Sequence, residues 1–361
     1  MAHVTLPPCS HRDAPDPRRA TGTTLNWGVV STGHIARAVA QQLAQLEDAR
    51  LHAVSSRSEE SAASFASDFD IARAYHDADG TSGLERLACD PDVDVVYVAT
   101  PHAQHHAAVR RLLEAGKHVL VEKAFTVNAS EAHDLVRLAR DRHLFLMEAL
   151  WTRFLPSYRH VVERLEAGAI GRPAWLQADL GMPLAFDPAS RMWAREAGGG
   201  ALLDLAVYPL AWTVAVFGLP VSVRANGTLA RNGVDALAAL TLDHADGSLA
   251  QVVVSFTARH RGSVAIAGSE GTLCVGAPMP NPDRVVLDRG DDTHAWHSDQ
   301  SVPGHCFQLR EVTRCVQADL AESPTMPLRD SLAVMERLDE ARRALGVRYP
   351  NDDAVLPDLT R

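Results

Sequence analysis

Residues 117–123 read Lys-His-Val-Leu-Val-Glu-Lys, and this short stretch decides the fold class. Its uninterrupted apolar run contains β-branched residues, which is typical of a strand buried on both faces of a parallel sheet. The strand ends in Glu122-Lys123, and ligands bind at the carboxyl ends of strands in open α/β sheets. The sequence therefore places Lys123 at the mouth of a crevice, where it either contacts a ligand or reaches solvent.

A strand-turn-helix unit begins the same half of the chain. Residues 25–31 predict a first strand, and residues 35–46 predict an amphipathic helix. The turn between them, residues 31–36, reads Ser-Thr-Gly-His-Ile-Ala and matches the dinucleotide fingerprint G-x-G-x-x-G/A with serine as its first residue. Gly33 lets the backbone approach a pyrophosphate, and the helix N-terminus supplies N–H groups for the phosphates. The residues predicted to contact a dinucleotide here are Ser31, Thr32, Gly33, His34 and Ile35.

The end of the second predicted strand, residues 51–55, indicates which cofactor binds. An NAD site usually carries Asp or Glu here to hold the ribose 2′-hydroxyl. This chain instead has Ser56 and Arg57, with no acid before Glu59. An arginine beside hydroxyl groups suits the 2′-phosphate of NADP, although Arg57 can also simply flank a helix capped by Ser58. The sequence favours NADP over NAD.

A further buried strand, residues 93–100, is followed by His102, His105 and His106. These rings share a helical face, but no carboxylate or cysteine stands at a recognisable ligand spacing, so we expect no metal site. The favoured interpretation is a strand end and a helix N-terminus, with His102 beside the nicotinamide and His106 in solvent. The cofactor contacts predicted from this strand end and the next are Thr100, Pro101, His102, His105, Glu122 and Lys123.

Together these motifs resemble the Gfo/Idh/MocA oxidoreductases. The matching segments are residues 31–36, 56–57, 99–105 and 116–123. Three later segments, residues 145–156, 198–208 and 322–328, resemble the branch that contains dimeric dihydrodiol dehydrogenase and NADP-dependent D-xylose dehydrogenase. The resemblance covers roughly residues 25–351. It implies hydride transfer between a nicotinamide and a carbinol or carbonyl carbon of a sugar, cyclic polyol or trans-dihydrodiol.

The resemblance also implies a catalytic group. Residues 201–212 predict a buried helix kinked at Pro209, and Asp204 and Tyr208 lie on one face of it, four residues apart. A buried aspartate is costly unless paired, and the family pattern supplies Lys123 as its partner. The alternative is an aspartate at a helix N-terminus and a tyrosine packed in the core.

Within that group the resemblance assigns one role to each residue. Tyr208 is the acid/base, and Lys123 binds the substrate oxygen and lowers the tyrosine pKa. Asp204 orients the lysine. A second version makes Lys123 itself the proton carrier.

One residue departs from the family pattern Glu-Lys-Pro, because Ala124 follows Lys123. Proline fixes φ and restricts the residue before it, so its replacement predicts a less preorganised Lys123 rather than loss of the site.

Aromatic and basic residues of the second half are candidate substrate contacts. Trp151 and Trp193 can offer a platform to a sugar ring, and Arg153 and Arg191 can bind hydroxyls or a phosphate. The alternative for such tryptophans is the core or a domain seam. The predicted substrate contacts are Trp151, Arg153 and Tyr208.

Beyond residue 148 the alternating α/β pattern stops. Helices are predicted over residues 156–167, 307–320 and 328–345, and period-2 strands over residues 174–180, 221–229, 236–242, 249–256, 263–267 and 272–275. The fold class is α/β, a doubly wound Rossmann domain followed by an α+β domain with a large, mostly antiparallel open sheet. Val252, Val254 and Phe256, taken as lying on alternate sides of their strand, suggest a homodimer or higher homo-oligomer through that sheet. The predicted divisions are residues 1–24, an arm that is disordered by default, residues 25–148 and residues 149–361.

Composition narrows the class of protein. The chain has 361 residues, 46% of them hydrophobic, and a formal charge of −10, which makes nucleic acid an unfavourable partner. No apolar stretch is long enough to span a bilayer. Five scattered cysteines fit free thiols in a reducing cytoplasm. Two alternatives stay open: a ketoreductase of a nucleotide-linked sugar, and a non-catalytic NADP- or sugar-sensing protein.

Overall fold

The computed structural model describes residues 16–354, so most of the arm predicted over residues 1–24 lies outside the described part. The first sheet has six parallel strands in the order β3-β2-β1-β4-β5-β6. The strands are β1 (Leu25–Val30), β2 (Ala49–Ser55), β3 (Arg73–Tyr75), β4 (Val95–Val98), β5 (His118–Glu122) and β6 (Leu146–Ala149). The helices between them are α1 (His34–Leu43), α2 (Glu59–Asp68), α3 (Gly83–Ala88), α4 (His105–Glu114) and α5 (Ala129–Asp141).

The order of this sheet determines where a ligand can enter. From β1 the chain first builds outward through β2 and β3, then returns to add β4, β5 and β6 on the other side. The carboxyl ends of β1 and β4 therefore flank the crevice at which such sheets bind ligands. The fingerprint turn follows β1 and Lys123 follows β5, so both lie at this edge.

The second sheet has eight strands in the order β14-β13-β12-β11-β7-β10-β9-β8, and its one parallel pair is β7 with β10. Its strands are β7 (Pro173–Gly181), β8 (Ser222–Leu229), β9 (Asp235–Asp243), β10 (Leu249–Ser255), β11 (Val264–Gly268), β12 (Thr272–Val275), β13 (Arg284–Asp288) and β14 (Thr293–His297). The helices of this half are α6 (Pro156–Glu166), α7 (Ala201–Leu205), α8 (Val207–Phe217), α9 (His305–Gln317) and α10 (Leu328–Leu345). The predicted fold class is confirmed, although β13 and β14 were not predicted. We propose that the chain divides into two domains near residue 148, because the first sheet ends there and the strands of the second sheet all follow it.

The helix predicted over residues 201–212 is two helices. The segment Arg195–Leu205, which ends with α7, and the segment Val207–Phe217, which is α8, form a pair bent by 41°, so the break lies before Pro209 rather than at it. Pro209 is the third residue of α8, in the first turn, where a missing N–H leaves no helical hydrogen bond unmade. In the described part no single helix is long and apolar enough to cross a membrane, and this bent pair passes that test by length and composition only.

The predicted oligomer surface on β10 was placed on the wrong side of the strand. Val252, Val254 and Phe256 are two residues apart, so they share one face, and all are fully buried against the helices. The opposite face presents Leu249 and, on β7, Trp175, which are 38% and 36% exposed.

A buried ion pair ties the last helices back to the first sheet. Arg310 of α9 donates to both carboxylate oxygens of Asp48, which precedes β2. Asp48 also accepts from the backbone N–H of Thr21 and from the amide of Gln317. Burial opposes ionisation of Asp48, but Arg310 and Gln317 outweigh it and hold the pKa of the carboxyl below its usual value.

Arg310→Met should lower the free energy of unfolding at neutral pH by about 3–5 kcal/mol, because Asp48 stays buried without its charge partner. The contribution of the pair is present above the unfolded-state aspartate pKa, about 4, and is lost as pH falls. Urea denaturation at pH 7 and pH 3 measures both effects. The matched control Arg348→Met breaks an exposed pair with Asp353 and should cost less than about 1 kcal/mol. Equal losses of unfolding free energy in the two variants would contradict the stabilising role of the Arg310–Asp48 ion pair.

Candidate active site

A cavity of about 800 Å³ opens at the carboxyl edge of the first sheet and extends to α7 and α8. This volume is within the usual range for a small-molecule or cofactor site. The predicted residues that line it are Ser31, Thr32, Gly33, His34, Ile35, Ser56, Arg57, Thr100, Pro101, His102, Glu122, Lys123, Trp151, Asp204 and Tyr208. Folding therefore brings both predicted halves of the site together.

The fingerprint turn offers free polar groups to the cavity. Gly33 is the N-cap of α1 and supplies no side-chain cap, so the first N–H groups of this ten-residue helix have no cap partner. Ser31, at the position of the first fingerprint glycine, has φ +100°, a backbone conformation that glycine adopts most easily. Thr100 at the end of β4 has a buried hydroxyl with no hydrogen-bond partner in the described part. These groups fit the phosphates and nicotinamide end of a dinucleotide.

The other end of the cavity has an exposed cation. Arg57 is exposed after β2, next to Ser56. Asp77 and Ser82 also line this end, and one carboxylate oxygen of Asp77 accepts from the backbone N–H of Gly83 at 2.8 Å. Sequence reasoning missed Asp77 and Ser82, because they come from a loop with no motif.

Lys123 and Asp204 form a largely buried ion pair at the inner end of the cavity. The lysine Nζ lies 3.2 Å from Asp204 Oδ1 and 2.7 Å from the Asp204 carbonyl oxygen. It also lies 5.0 Å from the centre of the Tyr208 ring. Arg191 approaches the same Asp204 oxygen at 3.7 Å from the solvent side. The lysine, aspartate and tyrosine named from the sequence are therefore adjacent.

Electrostatics gives these groups distinct protonation states. Burial opposes the charge on Lys123, but Asp204, Tyr208 and Glu122 outweigh it and raise the lysine pKa above its usual value. Burial raises the pKa of Tyr208, and the opposing effect of Lys123 is smaller. The expectation that the lysine lowers the net tyrosine pKa was therefore wrong, because desolvation of the phenolate dominates. At neutral pH Lys123 is an ammonium and Tyr208 keeps its proton.

Side chains hold the backbone around Lys123. The Nε2 of His102 lies 3.2 Å from the Lys123 carbonyl, and the Nδ1 of His105 lies 3.0 Å from that of Ala124. The backbone N–H of Phe125 donates to Glu148 at 3.1 Å. The segment that contains Ala124 in place of proline thus has support that the local sequence did not reveal.

The three histidines that follow β4 lie in different environments, and only one of them lines the cavity. His102 lines the cavity, and its Nδ1 lies 3.0 Å from the Gly198 carbonyl. His105 lies behind the cavity wall, where burial lowers its pKa to about 3. His106, predicted to be in solvent, pairs with the buried Asp134 at 2.8 Å.

Some of the candidate substrate contacts line the cavity, and others are buried elsewhere. Trp151 lines the cavity and packs against the His305 ring, with ring centres 4.4 Å apart. Arg153 is buried and donates to Asp330 at 2.7 Å, away from the cavity lining. Trp193 is packed in the core, whereas Arg191 lines the cavity.

A close approach of backbone sets the position of α7. Gly200 has φ +122°, and a Cβ there would lie 2.4 Å from a carboxylate oxygen of Asp235. The other oxygen of Asp235 accepts from the backbone N–H of Leu202 at 2.6 Å. The glycine run before α7 therefore allows β9 to hold the helix that carries Asp204.

Glu148→Gln should make the protein more stable above pH 7. Burial raises the pKa of Glu148 to about 7, so the folded protein retains a proton that the unfolded chain releases. Stability of the wild type therefore falls as pH rises from about 4.5 to 7, by on the order of 3 kcal/mol. Glutamine keeps an oxygen that accepts from the backbone N–H of Phe125. The Ser331 hydroxyl, which donates to Glu148 in the wild type, can instead accept from the glutamine NH₂ group.

Urea denaturation across pH 5–8 checks this, with the exposed-site variant Glu60→Gln as control. The same pH slope in both variants would show that Glu148 does not carry the effect.

Comparison with known proteins gives the family. Residues 25–150 match the model described as "Oxidoreductase family, NAD-binding Rossmann fold", and residues 158–274 match the GFO/IDH/MocA C-terminal domain. The chain is 34% identical over 345 residues to trans-1,2-dihydrobenzene-1,2-diol dehydrogenase of Bos taurus, covering 91% of this chain and 99% of the relative. The enzyme of Macaca fascicularis is 36% identical over 342 residues, with the same coverage.

Solved structures share the fold of this chain. An aldose-aldose oxidoreductase from Caulobacter crescentus superposes with TM-score 0.80 at 22% identity, covering 90% of this chain and 98% of its own. The 3-ketoreductase KijD10 from Actinomadura kijaniata, solved with NADP and TDP-benzene, has TM-score 0.76 at 26% identity and covers 89% and 98%. With both family models matched across most of the chain, and with the fingerprint and lysine at one cavity, the protein belongs to the Gfo/Idh/MocA family of oxidoreductases.

Proposed function

We propose that this protein is an NADP-dependent dehydrogenase/reductase that acts on a CH–OH or carbonyl carbon of a sugar, cyclic polyol or trans-dihydrodiol. One observation carries the proposal: Lys123, Asp204 and Tyr208 meet in the same cavity as the dinucleotide fingerprint. The relatives' names support an oxidoreductase acting on hydroxyl groups. A proton donor beside an ammonium held by a carboxylate is what such chemistry needs next to a nicotinamide.

Each residue has one task in the reaction. Hydride chemistry would be supplied by a nicotinamide cofactor held at the fingerprint turn. Tyr208, protonated at neutral pH, donates a proton to the substrate carbonyl oxygen in reduction, and its phenolate takes the hydroxyl proton in oxidation. The Lys123 ammonium binds the same oxygen and stabilises its developing negative charge. Asp204 keeps the lysine charged and in place. The raised lysine pKa argues against Lys123 as the proton carrier.

Tyr208→Phe and Lys123→Met should each lower kcat by about 10²–10⁴-fold, because each removes a group that acts on the reacting oxygen. Absorbance at 340 nm measures turnover, and NADPH fluorescence should show that cofactor binding persists. The matched control Tyr75→Phe removes a phenol that bonds Asp90 away from the cavity, and it should keep wild-type kcat. Undiminished turnover in Tyr208→Phe would reject the tyrosine as acid/base.

In the wild type the oxidation rate should rise with pH into the alkaline range, since oxidation needs the Tyr208 phenolate. Tight NADPH binding with no turnover on any sugar, polyol or diol would instead favour the sensor alternative.

We propose that Arg57 and Ser56 select NADP. Arg57 has no hydrogen bond or ion pair with another described residue, so its guanidinium is available to a 2′-phosphate. Arg57→Ala should raise the KM for NADP⁺ by about 10–100-fold, the loss of a charge-assisted hydrogen bond, with a smaller change for NAD⁺. Initial rates with both cofactors measure this. Equal changes in the two KM values would contradict 2′-phosphate recognition.

A second candidate function has specific structural support. The KijD10 structure holds TDP-benzene, and the chain has a cation, Arg191, at the open side of the cavity. A nucleotide-linked sugar is therefore the alternative substrate. Turnover that depends on a nucleotide diphosphate group would favour it over a free sugar.

We further propose a cytoplasmic homodimer or higher homo-oligomer. The four described cysteines are free thiols, which suits a reducing compartment. The outer face of the second sheet presents Trp175 and Leu249, which are partly exposed and directly paired across β7 and β10, and exposed apolar side chains that lie together mark an association surface. Trp175→Glu should shift the protein toward monomer in light scattering. Arg140→Glu, at an exposed position of α5 in the first domain, is the control.

A further inference from the structure

One titratable side chain of the cavity has no task in the reaction above. His305 is the first residue of α9, lines the cavity beside Trp151 and is only 8% exposed. Burial lowers its pKa to about 4, so the ring is neutral at pH 7. A neutral imidazole carries one proton, and the position of that proton decides what the ring can bind.

The neighbouring amide decides the tautomer. The side-chain Nε2 of Gln308 lies 3.2 Å from Nδ1 of His305, in a buried contact. An amide nitrogen can only donate, so Nδ1 accepts and the ring proton is on Nε2. Among residues 16–354, Nε2 has no hydrogen-bond partner of its own. His305 thus brings one unused donor to the cavity.

The ring is also held in place. The backbone N–H of His305 donates to the side chain of Gln42 at 2.8 Å, which fixes the start of α9 against α1. The ring packs against Trp151 in a tilted contact, with centres 4.4 Å apart and planes at 38°. Gly304 allows this packing, because a Cβ there would lie 2.3 Å from the Trp151 ring. A donor fixed in this way cannot turn to find another partner.

We propose that His305 is a specificity-determining residue whose Nε2–H donates to a substrate hydroxyl other than the one that reacts. The inference rests on the proposed function and narrows its substrate class to compounds that carry at least one hydroxyl besides the one that reacts. A substrate analogue that lacks the bonded hydroxyl leaves the Nε2–H desolvated and unpaired. A site built to bond a hydroxyl rejects a substrate that lacks it for that reason.

The experiment compares the kcat/KM of D-xylose with those of its 2-, 3- and 4-deoxy analogues in three forms of the NADP⁺-bound enzyme. His305→Phe keeps a ring to pack against Trp151 but removes the donor, and His305→Gln keeps an N–H donor. The ratio for D-xylose over the analogue that lacks the bonded hydroxyl should fall about tenfold in His305→Phe, the loss of one hydrogen bond. The change should be in KM for D-xylose, and His305→Gln should restore part of the ratio.

Three results would overturn the proposal. They are the same ratios in all three forms, equal losses in His305→Phe and His305→Gln, or a rise confined to the KM for NADP⁺, which would place the ring against the cofactor. Failure of the proposed function is distinguishable, since the wild type then turns over none of these compounds. In that case D-xylose binding to the NADPH complex is titrated by the fluorescence of Trp151 and its neighbours. No difference in binding between wild type and His305→Phe would overturn the role of His305.

Discussion

The ion pair between Lys123 and Asp204 is the interaction on which the site depends. Lys123 ends a strand of the first sheet, and Asp204 belongs to a helix beneath the second sheet. Their side chains are 13% and 10% exposed, and an isolated charge at that depth carries a desolvation penalty of several kcal/mol. Each charge therefore requires the other, so the two halves of the chain must meet at the cavity.

The surroundings of this pair decide which groups near it are charged. Burial keeps His102 and His105 neutral and raises the pKa of Tyr208. Lys123 and Asp204 stay charged because each offsets the burial of the other. The result is a tyrosine that holds a proton next to a fixed ammonium. That arrangement suits ketone reduction near neutral pH, since reduction uses the protonated phenol.

Much of the fold followed from local patterns. The apolar runs that became β1, β2, β4 and β5 are buried on both faces, so their sequences show little alternation and are easy to recognise. The short strands β13 and β14 were missed. β14 is the edge strand and β13 lies beside it, and both consist mostly of exposed or half-buried residues, so neither shows a clear alternation of buried and exposed residues. The buried side of β10 was misjudged, although residues two apart in a strand always share a face.

The sequence by itself determined the family and the strand-turn-helix unit, and it predicted that Lys123, Asp204 and Tyr208 form one group, because motifs with fixed spacing encode local geometry. Only the tertiary structure decided which side chains surround them. In the folded protein Arg153 is a buried partner of Asp330 and not a cavity residue. Asp77, Ser82 and His305 line the cavity although their segments of the sequence contain no motif. The tertiary structure also reversed the expected pKa of Tyr208. The lining of the cavity and the pKa of Tyr208 depend on contacts between residues distant in sequence and on the exclusion of water around them. The spacing of residues along the chain does not reveal either.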